Sequence, residues 1–332
     1  MHTVRLRRSA SILCLAGLAV IAAAQSTQTT APKLIKKDGR YALLVGGKPF
    51  LMLGGQIHNS SAWPSELPQV WNSMAALHAN TVEAPIYWEQ LEPAEGHFDF
   101  SNVDALVDGA RAHDLHVVLL WFGTWKNGNN HYAPTWVKTD TKRFPRTIRP
   151  DGVPIDVLSP IGNDTLEADK AAFVALMRHL KQIDSDQHTV LAMQVENESG
   201  NIGSVRDNSP EANRLFDSAV PTAMISAAKK QPGTWSQVFG ADADEMFQVY
   251  YQARYINAIA SAGKAEFGIP CYINVWIDYP AAALPQRQLE LPGIAYPSGG
   301  AVQKVVGLWR ALAPDLDMIG PDIYTDDASF YR

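Results

Sequence analysis

Short apolar runs of strand length alternate with longer stretches of helical periodicity along most of this chain. The runs at 50–57, 81–86, 116–122, 189–195, 270–277 and 317–324 are nearly continuous in apolar character. Burial on both faces of a parallel sheet produces that pattern. Between them, 67–78, 103–113, 166–183, 245–267 and 300–312 read as helices. In the fourth of these, Met246, Val249, Tyr250, Ala253 and Ile256 repeat at helical spacing. Ahead of the alternation, two apolar runs (41–45 and 50–53) flank Gly46-Gly47, which predicts a β-hairpin. Strands alternating with helices over this length predict an α/β fold, either a (β/α) barrel or a doubly wound sheet.

Two features favour the barrel. The first strand-to-helix turn holds Gly54-Gly55-Gln56 and no G-x-G-x-x-G, so a dinucleotide site has no support. Polar and aromatic residues gather just after several strands: Gln56 and His58, Tyr87 and Trp88, Trp121 and Trp125, Glu198, Trp276 and Asp278, Asp322 and Tyr324. Barrel enzymes build their sites at those strand ends. Six strands are legible where a closed barrel has eight. The expectation is therefore a (β/α)8 barrel incomplete in this sequence, with about six of its eight β/α units and the N-terminal hairpin. Its expected organisation is a signal peptide over 1–24, a flexible segment over 25–40 and a barrel domain over 41–332.

Composition narrows the function. The 332 residues are 46% hydrophobic and 19% charged, with a net charge of -6 and no Lys/Arg cluster beyond the extreme N-terminus. Nucleic acid is not an expected partner. Nine Trp and eleven Tyr offer aromatic faces of the kind that suit sugar rings, although core packing accounts for many of them. Arg5, Arg7 and Arg8 precede an apolar stretch at 12–23, and Ala22-Ala23-Ala24 supplies small residues for cleavage after Ala24. At about twelve residues the stretch is shorter than the ~20 of a membrane span. A secreted or periplasmic protein, off the membrane after signal removal, is expected. Cys14 leaves with the signal, so Cys271 remains without an intrachain partner. No cofactor is expected: no His/Cys/Asp cluster has metal-ligand spacing, and Ser199 lacks the nucleophile-elbow glycines. Oligomeric state is not legible.

The densest chemical signal is Gln194-Val195-Glu196-Asn197-Glu198, which closes the apolar run Thr189-Val190-Leu191-Ala192-Met193. Glycoside hydrolysis uses two carboxyl groups, ~5–5.5 Å apart in retaining enzymes and ~6.5–9.5 Å apart in inverting ones. Strand alternation directs Glu196 and Glu198 to one side and Asn197 to the other. Two carboxyls approaching a sugar from one side do not make an acid and nucleophile pair. At a strand end the alternation often breaks, which would let Asn197 reach the site as well.

This motif resembles the acid/base segment of the family 35 glycoside hydrolases, the β-galactosidases of the large retaining barrel clan. The segment from Asn80 to Pro93 (Asn-Thr-Val-Glu-Ala-Pro-Ile-Tyr-Trp-Glu-Gln-Leu-Glu-Pro), followed by Gly96, Phe98 and Phe100, is similar to the second-strand region of families 35 and 42. The resemblance implies that Glu198 is the general acid/base and Asn197 a ligand of the sugar 2-hydroxyl, with Glu196 a supporting carboxylate of the sugar-binding set. It implies a β-galactoside substrate and double displacement, with the nucleophile at the end of a seventh strand expected beyond Arg332. Gln56 and His58 are candidates for the pocket floor, Trp125, Trp136 and Trp276 for stacking, and Trp88 and Tyr324 for further substrate contacts. Asp278 and Asp322 are weaker candidates for the second carboxylate. One departure stands out: the family often shows Glu-Trp after strand three, and this chain has Thr124-Trp125. Alternatives are a β-glucosidase-type enzyme of the same clan and a non-catalytic carbohydrate-binding relative.

Overall fold

A computed structural model describes residues 31–277 and 291–324. The predicted signal, its cleavage site, residues 25–30 and Asp278 lie outside the described residues.

The chain opens with an antiparallel three-stranded sheet, β1 (Lys33–Lys37), β2 (Arg40–Val45) and β3 (Lys48–Phe50), in that order. Both of its turns have two residues with positive φ, Asp38-Gly39 and Gly46-Gly47, as the twist of tight hairpins requires. The Gly-Gly hairpin is as expected. The segment over 25–40 is not a flexible lead-in throughout, because Lys33–Lys37 pairs along its whole length with β2.

The main sheet has six strands in the order β11-β10-β9-β6-β5-β4, every neighbouring pair parallel. They are β4 (Gly54–Gln56), β5 (Thr81–Tyr87), β6 (His116–Lys126), β9 (Val190–Asn197), β10 (Cys271–Trp276) and β11 (Met318–Asp322). Between β6 and β9 a small antiparallel pair intervenes, β7 (Arg146–Ile148) with β8 (Pro154–Leu158). The six predicted strands are the six observed, an incomplete (β/α) barrel whose edges are β4 and β11. One boundary is corrected: the apolar run at 50–57 is not a single strand. Phe50 pairs back to Leu43 in the hairpin, and only Gly54–Gln56 joins the barrel.

Helices cover the outside. The long ones are α1 (Leu67–Ala76), α3 (Ser101–Ala112), α5 (Asn163–Asp184) and α9 (Ala243–Glu266); the short ones are α2 (Trp88–Leu91), α4 (Thr135–Thr139), α6 (Pro210–Phe216), α7 (Thr222–Ala228), α8 (Trp235–Phe239) and α10 (Val306–Leu312). The helix expected over 300–312 is α-helical only from Val306; a 3-10 turn at Gln303–Val305 precedes it. Among the described residues no helix is long and apolar enough to cross a membrane.

The core explains why the central strands read as unbroken apolar runs. Every residue of β9 is buried, and all of β6 after His116. Leu166, Phe173, Leu176, Met177 and Leu180 form the inward stripe of α5, at helical spacing. One charged residue interrupts that stripe, Asp169, which is fully buried.

A second buried charge fixes the entry into β9. Asp184, at the end of α5, accepts hydrogen bonds from the backbone N–H groups of Thr189 (2.9 Å) and Val190 (2.7 Å). The Arg111 guanidinium lies 2.7 Å from the same carboxylate. The start of the strand that carries Glu198 is thus tied to α3 and α5.

Candidate active site

At the C-terminal end of β9 the backbone leaves the extended region. Glu196 and Glu198 have φ of 62° and 46°, left-handed values that non-glycine residues seldom adopt. The expected alternation therefore fails here, and the two glutamates do not share a side. Glu196 turns toward β6 and α5, Glu198 toward β10 and β11.

Glu196 is enclosed. Its Oε1 accepts from Thr124 N at 3.1 Å and its Oε2 from Trp125 N at 2.7 Å. Its carboxyl also hydrogen-bonds that of Asp169, the interruption in the α5 stripe. Asp169 in turn accepts from Trp121 Nε1 (2.8 Å), Thr124 Oγ1 (2.6 Å) and Tyr255 OH (3.2 Å). Burial, and then the neighbouring Asp169 charge, hold the Glu196 carboxyl well above the ordinary glutamate range. Two carboxyls this close in a dry site are stable only when they share a proton. Gly123 makes the approach possible: a Cβ there would lie 2.7 Å from Glu196 Oε1 and 2.9 Å from Asp169 Oδ1. With both oxygens taken by backbone N–H groups and its carboxyl against Asp169, Glu196 supports the strand end.

The Thr124 departure has a structural meaning. Its hydroxyl donates to Asp169 and meets the Tyr255 hydroxyl at 2.9 Å, inside the protein. Thr124 belongs to the buried network under the site, and its own hydroxyl is turned away from the surface.

Glu198 stands in a different set. Its N–H donates to Asn274 Oδ1 on β10 at 2.8 Å, and Asn274 Nδ2 donates to Asp322 Oδ2 on β11 at 2.8 Å. The Asp322 carboxyl hydrogen-bonds Glu198 directly. Burial, then the hydrogen bond to Glu198 and the charge it carries, push Asp322 up to about 8, with Asn274 and Lys126 acting against the rise. Lys126 Nζ donates to Asn197 Oδ1 at 2.8 Å and also reaches Asn127 Oδ1. Burial lowers the Lys126 pKa, and Glu198 and Asp322 work against that.

The turn after Lys126 clips this strand end in place. Asn127 and Gly128 have positive φ, and their N–H groups donate to the carbonyls of Asn197 and Glu198, both at 3.1 Å. Asn197 is thereby held beside Lys126 at the end of the strand.

The other sequence candidates divide. Gln56 lines a cleft of about 280 Å³ along the inner sheet face, with Glu83, Gln194, Tyr272, Asn274 and Asp322. Trp276 is half-buried at the end of β10, in register with Asp322. His58 is exposed beyond β4, its Nδ1 3.3 Å from Ser60 Oγ, and Tyr324 is exposed two residues past β11. Trp88 and Trp125 are corrected from substrate-binding candidates to core. Trp88 is fully buried, with Nε1 2.8 Å from Glu92 Oε2; Trp125 packs edge-on against Tyr255 at 4.6 Å. Neither ring has a face open to a ligand. Trp136 is partly buried and donates to the Glu92 carbonyl at 3.1 Å.

Lys126, Asn274, Asp169 and Tyr255 were missed. Three of them left a signal: Asn274 is the one polar residue in the strand Cys-Tyr-Ile-Asn-Val-Trp, Asp169 sits in an apolar stripe, and Lys126 precedes an Asn-Gly turn. Among the described residues no group of three or more His, Cys, Asp or Glu is placed to hold a metal ion.

A parallel sheet curled into an incomplete barrel, with carboxyl groups at its strand ends, places the chain in the (β/α)-barrel fold class. Residues 42–151, about a third of the chain, match the family described as Glycosyl hydrolases family 35. A beta-galactosidase of Xanthomonas manihotis is 39% identical over 80 residues, which is 22% of this chain and 13% of the relative. Beta-galactosidase Pbg of Clostridium perfringens is 28% identical over 110 residues, 32% of this chain and 14% of the relative. The matches thus span only about a seventh of these relatives' length. The structure of a beta-galactosidase from the psychrophilic Marinomonas ef1 superposes with a TM-score of 0.56, covering 82% of this chain and 41% of that one. At 14% identity it bears on the fold alone, and it agrees with the barrel.

Proposed function

We propose that this protein is an exported retaining exo-glycosidase that removes terminal β-D-galactosyl units from oligo- or polysaccharides. The observation that carries the proposal is Glu198, held at the C-terminal end of β9 beside Asn197 and Lys126, in a chain whose residues 42–151 match family 35. On this reading Glu198 protonates the departing glycosidic oxygen while a carboxylate outside the described residues attacks the anomeric carbon. Glu198 then takes a proton from the water that releases the sugar. Asn197 holds the 2-hydroxyl.

Asp322 does not fit the role of nucleophile. Its carboxyl is engaged by Glu198 and by Asn274 Nδ2 at 2.8 Å, whereas a retaining nucleophile stands across the scissile bond from the acid. Export rests on the N-terminal basic and apolar pattern and on the alanines before Gln25.

The buried Thr124 hydroxyl favours a second reading of the sugar: the contact that a Glu would make from this position is missing, and a β-glucoside becomes a competing substrate. A panel of nitrophenyl glycosides assayed with the full-length protein separates the two. Within the better substrate series, Glu198→Gln should lower kcat/KM about 10²–10⁴-fold for poor leaving groups, the usual contribution of a general acid, and far less for good ones. Equal turnover by wild type and variant on poor leaving groups removes Glu198 from the acid role.

A further inference from the structure

Asp322 closes a ring of hydrogen bonds around the acid/base. Glu198 N–H reaches Asn274 Oδ1, Asn274 Nδ2 reaches Asp322 Oδ2, and the Asp322 carboxyl returns to the Glu198 carboxyl. Its members come from β10, from β11 and from the residue that follows β9. The ring is anchored by backbone: β10 and β11 pair in register from Tyr272–Met318 to Trp276–Asp322. Trp276 stands beside Asp322 as its register partner.

Two carboxyl groups in contact do not both carry charge without cost. At ~4 Å and an effective dielectric near 20, two like charges repel by about 4 kcal/mol. One proton held between the groups removes that repulsion. The charged and titratable groups around the pair are few. Lys126 of β6 offsets negative charge on both carboxyls, Tyr272 of β10 is within electrostatic reach of Asp322, and Glu83 of β5 acts on Tyr272 in turn. None of these is itself hydrogen-bonded to Asp322; Asn274 and Glu198 are.

We infer that Asp322 is a positioning residue that shares one proton with the Glu198 carboxyl and, through Asn274, holds the Glu198 backbone that carries it. This rests on the acid/base role proposed for Glu198. In the first step the shared proton moves to the glycosidic oxygen as its bond to the anomeric carbon breaks, and the carboxylate nucleophile takes up the sugar. Both members of the pair are then ionised, next to the Lys126 ammonium. In the second step the attacking water gives its proton back to the pair as its oxygen bonds to the anomeric carbon, and the one-proton state is restored. The proton count closes over the cycle.

The pair also predicts an alkaline limit to activity. An ordinary aspartate is ionised from about pH 4 upward. Asp322 stays protonated to about 8, so the shared proton persists across neutral pH.

The test uses full-length protein labelled with ¹³C at the aspartate carboxyl carbons, titrated by NMR as wild type, Asp322→Asn and Glu198→Gln. One aspartate should titrate near 8, vanish from the Asp322→Asn spectrum, and titrate lower in Glu198→Gln, where the like charge is gone. A wild-type spectrum in which every aspartate titrates in the ordinary range overturns the pair, as does a high-titrating signal that survives in Asp322→Asn. Kinetics then test the role. In Asp322→Asn the alkaline fall of kcat/KM for poor leaving groups should begin at lower pH, with about tenfold less activity at pH 8 for each unit moved. KM should change less than kcat. An alkaline limb that does not move overturns the positioning role. Wild-type protein that hydrolyses no glycoside removes the proposed function instead, and the titration still decides whether the pair exists.

Discussion

Replacing Glu196 by alanine isolates what the buried carboxyl under the site does for the fold. In the wild type its two oxygens accept the N–H groups of Thr124 and Trp125, residues that are 0% and 1% exposed. Alanine leaves both donors without an acceptor in a site closed to water. An unsatisfied buried donor costs about 1–3 kcal/mol, so the two together cost about 2–6 kcal/mol. The positive φ at position 196 strains alanine and glutamate alike, so it cancels from the difference. Relief of the contact with Asp169 offsets part of the loss, and a net destabilisation of about 2–5 kcal/mol is expected. Glu196→Gln keeps one acceptor and supplies an amide donor toward Asp169, mimicking the protonated acid; about 1–2 kcal/mol is expected. Urea unfolding at constant m reads both values as shifts of the midpoint. The pH dependence has a definite sign. The folded-state pKa of Glu196 is raised, so the folded protein binds the extra proton above the ordinary glutamate range. The stability this proton confers is fully present below about pH 4.5 and is lost as pH rises toward the folded value. Glu196→Gln lacks this titration, so its deficit relative to wild type should shrink with rising pH. An alanine variant as stable as wild type, or a glutamine deficit that grows with pH, refutes the reasoning.

Asp184→Ala should cost about 3–5 kcal/mol, because it frees two backbone N–H groups at the start of β9 and leaves Arg111 without its buried partner; a thermal midpoint within a degree of wild type would sink this. Gly123→Ala should cost about 1–3 kcal/mol by forcing a methyl between Trp121 Nε1, Glu196 Oε1 and Asp169 Oδ1. The urea midpoint measures it, and an unchanged midpoint means the carboxyl pair is not packed against this position.

The barrel was legible because β6 and β9 bury nearly every residue, and unbroken apolar runs between helical stretches leave few alternatives. The hairpin's glycines announced themselves. Asp38-Gly39 is as strong a turn signal as Gly46-Gly47, yet the polar, lysine-bearing stretch before it disguised β1, a partly exposed strand lying at the edge of its sheet. Trp88 and Trp125 show the opposite failure: proximity to a strand end is visible in sequence, and the direction of a ring is not.

The site itself was half legible for a reason that lies in the backbone. A strand read by alternation places Glu196 with Glu198. Two left-handed residues in three undo that pattern, and nothing local to Glu-Asn-Glu requires them. Tertiary contacts require them: Thr124 and Trp125 N–H groups draw Glu196 one way, Asn274 draws the Glu198 N–H another, and the Asn127-Gly128 turn pins the carbonyls of Asn197 and Glu198 between. Strain at φ of 62° and 46° costs on the order of 1–3 kcal/mol for each residue and persists only where the surroundings over-determine it. Here five hydrogen bonds from three neighbouring segments do so. A motif that reads as a pair of like carboxylates thus becomes two buried groups with different partners, Glu196 against Thr124, Trp125 and Asp169 and Glu198 beside Asp322, and the division is made by the strands on either side.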